Sequence, residues 1–271
     1  MAKVLVVTSG KGGVGKTTST AALGAALAQN GKRVVVVDFD VGLRNLDLVM
    51  GAERRVVFDL INVIHGDAKL PQALIRDKRL ENLSLLPASQ TRDKDALTIE
   101  GVARVISELR EKFDWIICDS PAGIEKGATL AMHHADTAVI VTNPEVSSVR
   151  DSDRIIGLLD AKTAKAAAGE KVEKHLLLTR YDPARAARGE MLKVDDVLEI
   201  LSIPLLSIVP ESEEVLRASN VGAPVTLNAP QSTPARAYFD AAKRLQGEKF
   251  EVVVPEERRG FMGRLFGRRV A

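Results

Sequence analysis

The residues best suited to chemistry form a glycine-rich loop that carries two lysines and two threonines: Gly10-Lys11-Gly12-Gly13-Val14-Gly15-Lys16-Thr17-Thr18. From Gly10 to Thr17 the loop fits the phosphate-binding P-loop template at every fixed position. Glycines let the backbone wrap closely around anionic oxygens, to which its N–H groups can donate. We therefore expect all nine residues to bind a nucleotide, with Lys16 at the β- and γ-phosphates and Thr17 as a Mg²⁺ ligand.

The elements on either side of this loop are those that a phosphate site needs. Residues 3–8 form a short, mostly apolar run that is predicted as a buried strand, and the alanine- and leucine-rich residues 17–30 are predicted as a helix. Backbone N–H groups and the helix dipole favour bound phosphate at such a helix N-terminus. A glycine-rich turn that arose by chance is the alternative, and it does not explain this placement.

Acidic residues close two further predicted strands. Asp119 ends the apolar run 115–119, which is the Walker B pattern, and we expect it to hold Mg²⁺ directly or through water. Asp38 and Asp40 stand at the end of the run 33–38, and a spacing of two residues puts both carboxylates on one side of a strand. One could assist Mg²⁺ or the phosphates while the other orients water. The alternative is that they cap the next element or a turn.

Apolar runs alternate with helical segments along the chain and are mostly continuous, as expected for a parallel sheet covered on both faces. Short links between them predict an α/β fold with a doubly wound, mostly parallel sheet flanked by helices. In such folds ligands lie beyond the carboxyl ends of the strands, where the loop and the acids would meet. The predicted strands are 3–8, 33–38, 83–86, 115–119, 137–142, 175–179 and 205–209. The predicted helices are 17–30, 57–65, 70–75, 99–112, 127–133, 148–163, 194–201, 213–219 and 234–245, with an alanine-rich connector at 164–174.

Charge is distributed unevenly along the 271 residues. From Arg258 onward the chain has five arginines and no acid, so the other 33 basic residues face 36 acidic ones and leave the rest of the chain at −3. The whole chain carries only +2, which is no bulk basic signature for nucleic acid. We therefore predict one P-loop ATPase domain over residues 1–250, followed by a linker and a basic tail with its own partner over residues 251–271.

The tail is predicted to be amphipathic. Apolar residues at Phe261, Met262, Leu265 and Phe266 share one face of a helix, among arginines that include Arg264 and Arg268. An ordinary terminal helix that docks on the core would show the same stripe. Five arginines without an acid favour anionic lipid at a bilayer interface instead, and arginines could also contact the phosphates of nucleic acid.

Other classes of site are excluded by composition. The single cysteine, Cys118, rules out an intrachain disulfide framework, fits a reducing compartment and is predicted to be an inert core thiol. The four histidines show no spacing typical of a zinc site, and no Ser–His–Asp arrangement can be argued. We find neither a signal peptide nor an apolar run of membrane-spanning length, which predicts a soluble, cytoplasmic protein.

Lys11 narrows the class of P-loop protein to which the chain can belong, because an ordinary P-loop needs no cation at that position. The run from Lys11 to Thr18 resembles the deviant Walker A motif of the MinD/ParA family of ATPases. Residues 38–47 and 119–125 resemble the family's two switch regions. Residues 179–181, 209–211 and 216–220 and the basic tail also match, so the resemblance covers essentially the full chain.

The resemblance implies roles for individual residues. Lys11 would cross an ATP-dependent homodimer to the partner's phosphates, as an arginine finger does in trans; a solvated loop lysine is the alternative that the loop alone leaves open. Asp40 would position the attacking water, Asp38 would support the site and its metal, and Asp119 would serve Mg²⁺. The remaining contacts to ATP implied by the family are Gly123, Arg180, Pro210 and Glu211, with Arg180 and Pro210 beside adenine. The chain departs from many relatives at Thr179, where they carry Asn.

The resemblance also implies a cellular role. Such an ATPase binds the cytoplasmic face of the inner membrane through its tail, recruits a MinC-type division inhibitor, is released on MinE-type stimulation of hydrolysis and so places the division septum. Arg44 and residues 148–153 are candidates for regulator contact. A ParA-type ATPase for DNA or cargo segregation is the alternative, but it would need basic residues across the folded dimer, and we expect no nucleic acid partner. A small-molecule kinase or ligase would need an acceptor pocket, and the sequence indicates none.

Overall fold

Eight strands form one sheet in the part of the chain that the computed structural model describes, which is residues 2–90, 96–255 and 269–270. The strands are β1 (Lys3–Thr8), β2 (Val34–Asp38), β3 (Ile75–Arg76), β4 (Leu83–Leu86), β5 (Trp115–Asp119), β6 (Thr137–Thr142), β7 (Glu173–Tyr181) and β8 (Leu205–Pro210). Their order is β3-β4-β2-β5-β1-β6-β7-β8, and only the β3–β4 pair is antiparallel. The predicted doubly wound, mostly parallel α/β fold is therefore confirmed.

Helices cover both faces of this sheet. They are α1 (Lys16–Gln29), α2 (Leu46–Val49), α3 (Leu60–His65), α4 (Leu70–Ala73), α5 (Ile99–Arg110), α6 (Lys126–His133), α7 (Val146–Lys162), α8 (Ala164–Ala167), α9 (Pro183–Ala187), α10 (Val194–Leu201), α11 (Glu213–Asn220), α12 (Val225–Asn228) and α13 (Thr233–Leu245), with a 3₁₀ turn at Glu53–Arg55. Alternate residues of each strand enter opposite cores, since successive side chains point to opposite faces. Val34 and Val36 pack in the core beneath α1 and α13, whereas Val35 and Val37 pack in the core that includes α3 and α5.

The strand order places β1 at the centre of the sheet, between β5 and β6. The chain builds β2, β3, β4 and β5 on one side of β1 and then β6, β7 and β8 on the other, and a crevice opens at the carboxyl ends where the two sides meet. The loop between β1 and α1 lies at this crevice. The parallel register of β2 and β5 sets Asp38 directly opposite Asp119 at the same edge.

Most differences from the predicted elements have local physical causes. The predicted helix 57–65 begins only at Leu60, because Asp59 caps it through a reciprocal pair of hydrogen bonds with Asn62. The predicted helix 70–75 ends at Ala73, because Ile75 pairs with Leu85 in the antiparallel edge strand β3. The connector at 164–174 contains the one-turn helix α8 and the start of β7.

Two further observations bear on the sequence-based expectations. Cys118 is buried in β5, and burial raises the pKa of its thiol to about 12, as expected for an inert core cysteine. Among the described residues, no helix has both the length and the apolar character needed to cross a bilayer.

Beyond α13 the chain adds a two-stranded antiparallel pair, β9 (Val252–Val253) with β10 (Arg269–Val270).

Candidate nucleotide-binding site

The glycine-rich loop adopts the conformation that its glycines predict. Gly13 and Gly15 have φ values of 75° and 99°, in the left-handed region that glycine enters without strain, and Gly15 is the N-cap of α1. Gly10 is required for a different reason. A Cβ atom at Gly10 would lie 2.2 Å from the carbonyl oxygen of Asp151 on α7, so the loop packs directly against the backbone of that helix.

Lys16 is buried at the base of the loop. Its Nζ donates to the Ser9 hydroxyl at 2.9 Å and to the carbonyl oxygen of Lys11 at 3.4 Å. Burial lowers the pKa of Lys16, while the negative charges of Asp119 and Asp40 oppose this lowering. The ammonium group is thus held by the loop itself, beside the acids, where a phosphate oxygen would gain a cation and several N–H donors together.

Two buried carboxyl groups lie next to each other below the loop. Asp119 accepts hydrogen bonds from Thr20 at 3.0 Å and from Thr17, and burial raises its pKa to about 7. Asp38 accepts from the backbone N–H groups of Asp40 at 2.8 Å and Leu46 at 3.2 Å, and burial, followed by the charge of Asp119, raises its pKa well above the usual range. A pair of acids held in this way gains from any cation that neutralises it.

This arrangement fits Mg²⁺ better than a metal held by protein side chains alone. No group of three or more His, Cys, Asp or Glu side chains that could hold a metal is found within residues 2–90, 96–255 and 269–270. Mg²⁺ keeps several waters and is usually bound by one or two carboxylates together with substrate phosphates. Thr17, which already contacts Asp119, and Asp119 itself are the groups that would hold it, with Asp38 behind them.

The loop after β2 turns sharply around Asp40. The carbonyl oxygen of Asp40 accepts from the N–H groups of Leu43 at 3.2 Å and Arg44 at 3.0 Å, and Gly42 and Arg44 both have positive φ values. The Nε atom of Arg44 lies 2.8 Å from the carboxylate of the buried Asp47. Arg44, a candidate for regulator contact, is therefore held within its own loop, whereas Asp40 stays partly exposed near Lys16.

Lys11 is neither a free surface lysine nor a second cation in its own phosphate loop. Its Nζ lies 3.1 Å from the Glu145 carboxylate and 3.0 Å from the Ser147 hydroxyl, at the start of α7. The pair is exposed to about half of its side-chain surface. Neither partner could be identified from the sequence, because both lie more than 130 positions away along the chain.

A cleft of about 340 Å³ continues from the loop toward β7 and β8. It brings together Arg180 and Pro210, predicted beside adenine, with Glu211, predicted as a contact to ATP. Helix α11, with Leu216, closes the other side. The remaining lining residues are Val14, Gly15, Thr18, Thr179, Val209, Ser212, Glu213, Val215, Ser219 and Tyr238. Tyr238 was not predicted, because only the folded chain brings it to the site. Its hydroxyl lies 3.0 Å from that of Ser19, which is 219 positions away along the chain.

Gly123, a predicted contact to ATP, does not line this cleft. Gly123 lies beside the loop with a φ of 86°, and its N–H already donates to the carbonyl oxygen of Ser9 at 3.2 Å. The predicted membrane contacts, Phe261, Met262, Arg264, Leu265, Phe266 and Arg268, lie outside the described residues. Ser9, which contacts Lys16, immediately precedes the motif, and Thr20, which contacts Asp119, follows it by two residues. Their hydroxyl groups so close to the motif were the signal that could have indicated them.

Comparison with known proteins gives concordant results. Residues 5–225 match the family described as the CobQ/CobB/MinD/ParA nucleotide binding domain. The chain is 61% identical over 270 residues to the septum site-determining protein MinD of Escherichia coli K12, covering 98% of this chain and all of that protein. Its structure is similar to a chain in the MinC:MinD cell division protein complex of Aquifex aeolicus, with a TM-score of 0.82 and 41% identity. That match covers 96% of this chain and 100% of that chain. It is also similar to MinD of Pyrococcus horikoshii complexed with Mg-ADP, with a TM-score of 0.80 and 32% identity. That match covers 90% of this chain and 96% of that chain.

Proposed function

We propose that this protein is an ATP-hydrolysing switch that places the division septum. The premise is that the chain belongs to the CobQ/CobB/MinD/ParA family and, within it, to the MinD branch of septum site-determining proteins. The observation that carries the proposal is the meeting of buried Lys16 with Asp119 and Asp38 at the base of the glycine loop. That arrangement binds phosphate and a divalent cation. The relative solved with Mg-ADP supports the same ligand.

Hydrolysis would use groups that already converge in the crevice. Lys16 and the loop N–H groups would bind and orient the β- and γ-phosphates, and a Mg²⁺ ion held in the site would supply positive charge against the phosphate oxygens. Asp40 is the acid with access to solvent and lies near Lys16, so it is the group that can orient a water molecule for in-line attack. Thr17 and Asp119 would hold the ion, and Asp38 supports the loop through its bonds to Asp40 and Leu46. Turnover is slow until a partner acts.

Dimerisation would complete the site. Lys11 is exposed and is held at the surface by Glu145 and Ser147, so it is available to a second copy rather than to its own phosphate loop. A cation supplied in trans lowers the repulsion between two triphosphates brought face to face. We infer that ATP-bound chains pair and ADP-bound chains separate.

Membrane attachment would follow from the dimer. One tail, with Phe261, Met262, Leu265 and Phe266, offers few apolar side chains and binds the bilayer marginally. Two tails on one dimer bind with an avidity that can rise by roughly 10²–10⁴-fold. The attached dimer would recruit a MinC-like inhibitor, and the MinC:MinD complex of Aquifex aeolicus supports a partner of this kind. A MinE-like protein would stimulate hydrolysis and release the dimer to the cytoplasm.

Two assays test the proposal together. ATPase activity is measured with Mg²⁺ for the wild type and for Asp40→Ala, which should bind ATP but hydrolyse it poorly. Sedimentation with anionic vesicles is measured with ATP, ADP or no nucleotide, and Phe266→Glu should lose binding in ATP while still binding the nucleotide. Equal pelleting in ATP and ADP would contradict the proposed switch. Retention on DNA with ATP would instead favour the ParA-type alternative.

A further inference from the structure

Thr179 is a site residue that lines the cleft with only 4% of its surface exposed. It is buried, and its hydroxyl lies 2.7 Å from the carbonyl oxygen of Val14, 2.9 Å from the side-chain oxygen of Asn143 and 3.3 Å from the carbonyl oxygen of Thr142. A hydroxyl has one proton and donates to one acceptor at a time. The shortest of the three contacts is the one to Val14, which belongs to the glycine-rich loop.

An irregularity at the end of β7 produces this contact. Thr179 pairs with Val209 on β8, but the next pair joins Tyr181 to Pro210, so the intervening Arg180 is an extra residue with a φ of 54°. Such a bulge redirects side chains at the end of a strand. It leaves Arg180 exposed at the cleft and Thr179 buried against the loop.

The bond acts on a peptide unit that would otherwise turn easily. Val14 stands between Gly13 and Gly15, both in the left-handed region, and glycines on either side allow the intervening peptides to rotate. In a trans peptide the C=O of one residue and the N–H of the next point in opposite directions. A bond that holds the Val14 C=O against β7 therefore turns the N–H of Gly15, the N-cap of α1, away from β7.

We propose that Thr179 is a positioning residue, which fixes the Val14–Gly15 peptide so that the Gly15 N–H donates to bound phosphate, and that it does not read the base. This inference rests on the proposed nucleotide-binding function. It assigns the hydroxyl proton to Val14 and leaves contacts with adenine to the other residues of the cleft, such as Arg180 and Pro210.

A ligand without a base separates this role from base recognition. Dissociation constants for ATP and for inorganic tripolyphosphate are measured by calorimetry on the wild type, Thr179→Val and Thr179→Ser. Thr179→Val removes the hydroxyl at nearly constant volume and should weaken both ligands by the same factor, roughly ten-fold for one lost hydrogen bond. Thr179→Ser keeps the hydroxyl and should bind both ligands within about two-fold of the wild type.

Thr226→Val is the matched control. Thr226 is also buried and its hydroxyl donates to a carbonyl oxygen, that of Ala22 at 3.2 Å, but it does not contact the loop. It should lower thermal stability about as much as Thr179→Val while leaving both affinities unchanged. The inference is overturned if Thr179→Val weakens ATP but not tripolyphosphate, if Thr226→Val weakens both equally, or if serine fails to restore binding. A wild-type protein that bound neither ligand would instead refute the proposed function, and this inference with it.

Discussion

The close approach of the loop to α7 leads to a sharp prediction for Gly10→Ala. An added Cβ would lie 2.2 Å from the carbonyl oxygen and 2.3 Å from the carbonyl carbon of Asp151, whereas ordinary contacts begin at 3.4 Å. The loop or the helix backbone must therefore move by about 1.2 Å. Both are held by surrounding core, so the substitution should cost roughly 1–3 kcal/mol as overpacking. In a chain of this size that corresponds to a fall in Tm of roughly 2–12 °C.

Gly12→Ala is the control in the same loop. The nearest atom to its added Cβ is the Cβ of Ala122 at 3.9 Å, and its φ lies outside the left-handed region. It should melt within about 1 °C of the wild type. Both variants are compared without nucleotide by calorimetry, and by urea titration that follows the fluorescence of the buried Trp115. Equal unfolding midpoints for Gly10→Ala and Gly12→Ala would show that the contact with Asp151 does not constrain the loop.

Three further predictions concern the ionisable and polar groups of the site. Lys11→Ala should leave Tm nearly unchanged, because the pair with Glu145 is exposed, but light scattering should find it monomeric in ATP. Asp119 has a pKa of about 7 in the native protein and of about 4 in the unfolded chain. Between these two pH values the native state binds more protons, so without Mg²⁺ the free energy of unfolding should fall as pH rises, by up to about 1.4 kcal/mol per pH unit. Urea titrations of Asp119→Asn should show a flatter pH profile; an equally steep one would refute the assignment. Tyr238→Phe leaves the buried Ser19 hydroxyl without its partner and should cost about 1 kcal/mol in the same titrations.

The parts of the site that the sequence predicted are those whose geometry is local or follows from strand direction. Gly13 and Gly15 stand where the loop needs left-handed backbone. Asp38 and Asp119 end strands that run in the same direction, so their meeting follows from the parallel sheet alone. All seven predicted strands are present, because each is a largely buried, mostly apolar run that pairs in parallel with a neighbouring strand.

The parts that could not be predicted depend on long-range contacts or on very short elements. The one-turn helices α2, α8, α9 and α12 and the two-residue strand β3 are shorter than the window in which hydrophobic periodicity can be recognised. Gly51 and Gly222 show the other limit. A Cβ at Gly51 would lie 2.5 Å from the carbonyl oxygen of Gly222, so each glycine is required by a segment more than 170 positions away. No local pattern carries that information.

Lys11 combines both situations. The resemblance to the deviant Walker A motif implied a role for Lys11 outside its own loop, but it did not indicate which residues hold Lys11 in the single chain. In the structure it pairs with Glu145 and Ser147 at the protein surface. An exposed ion pair of this kind contributes at most about 1 kcal/mol. In the proposed dimer, contact with the charges of a partner's triphosphate would be stronger than this exposed pair wherever the interface excludes water. The pair with Glu145 can therefore hold Lys11 at the surface of the single chain without opposing its transfer to the dimer that we propose.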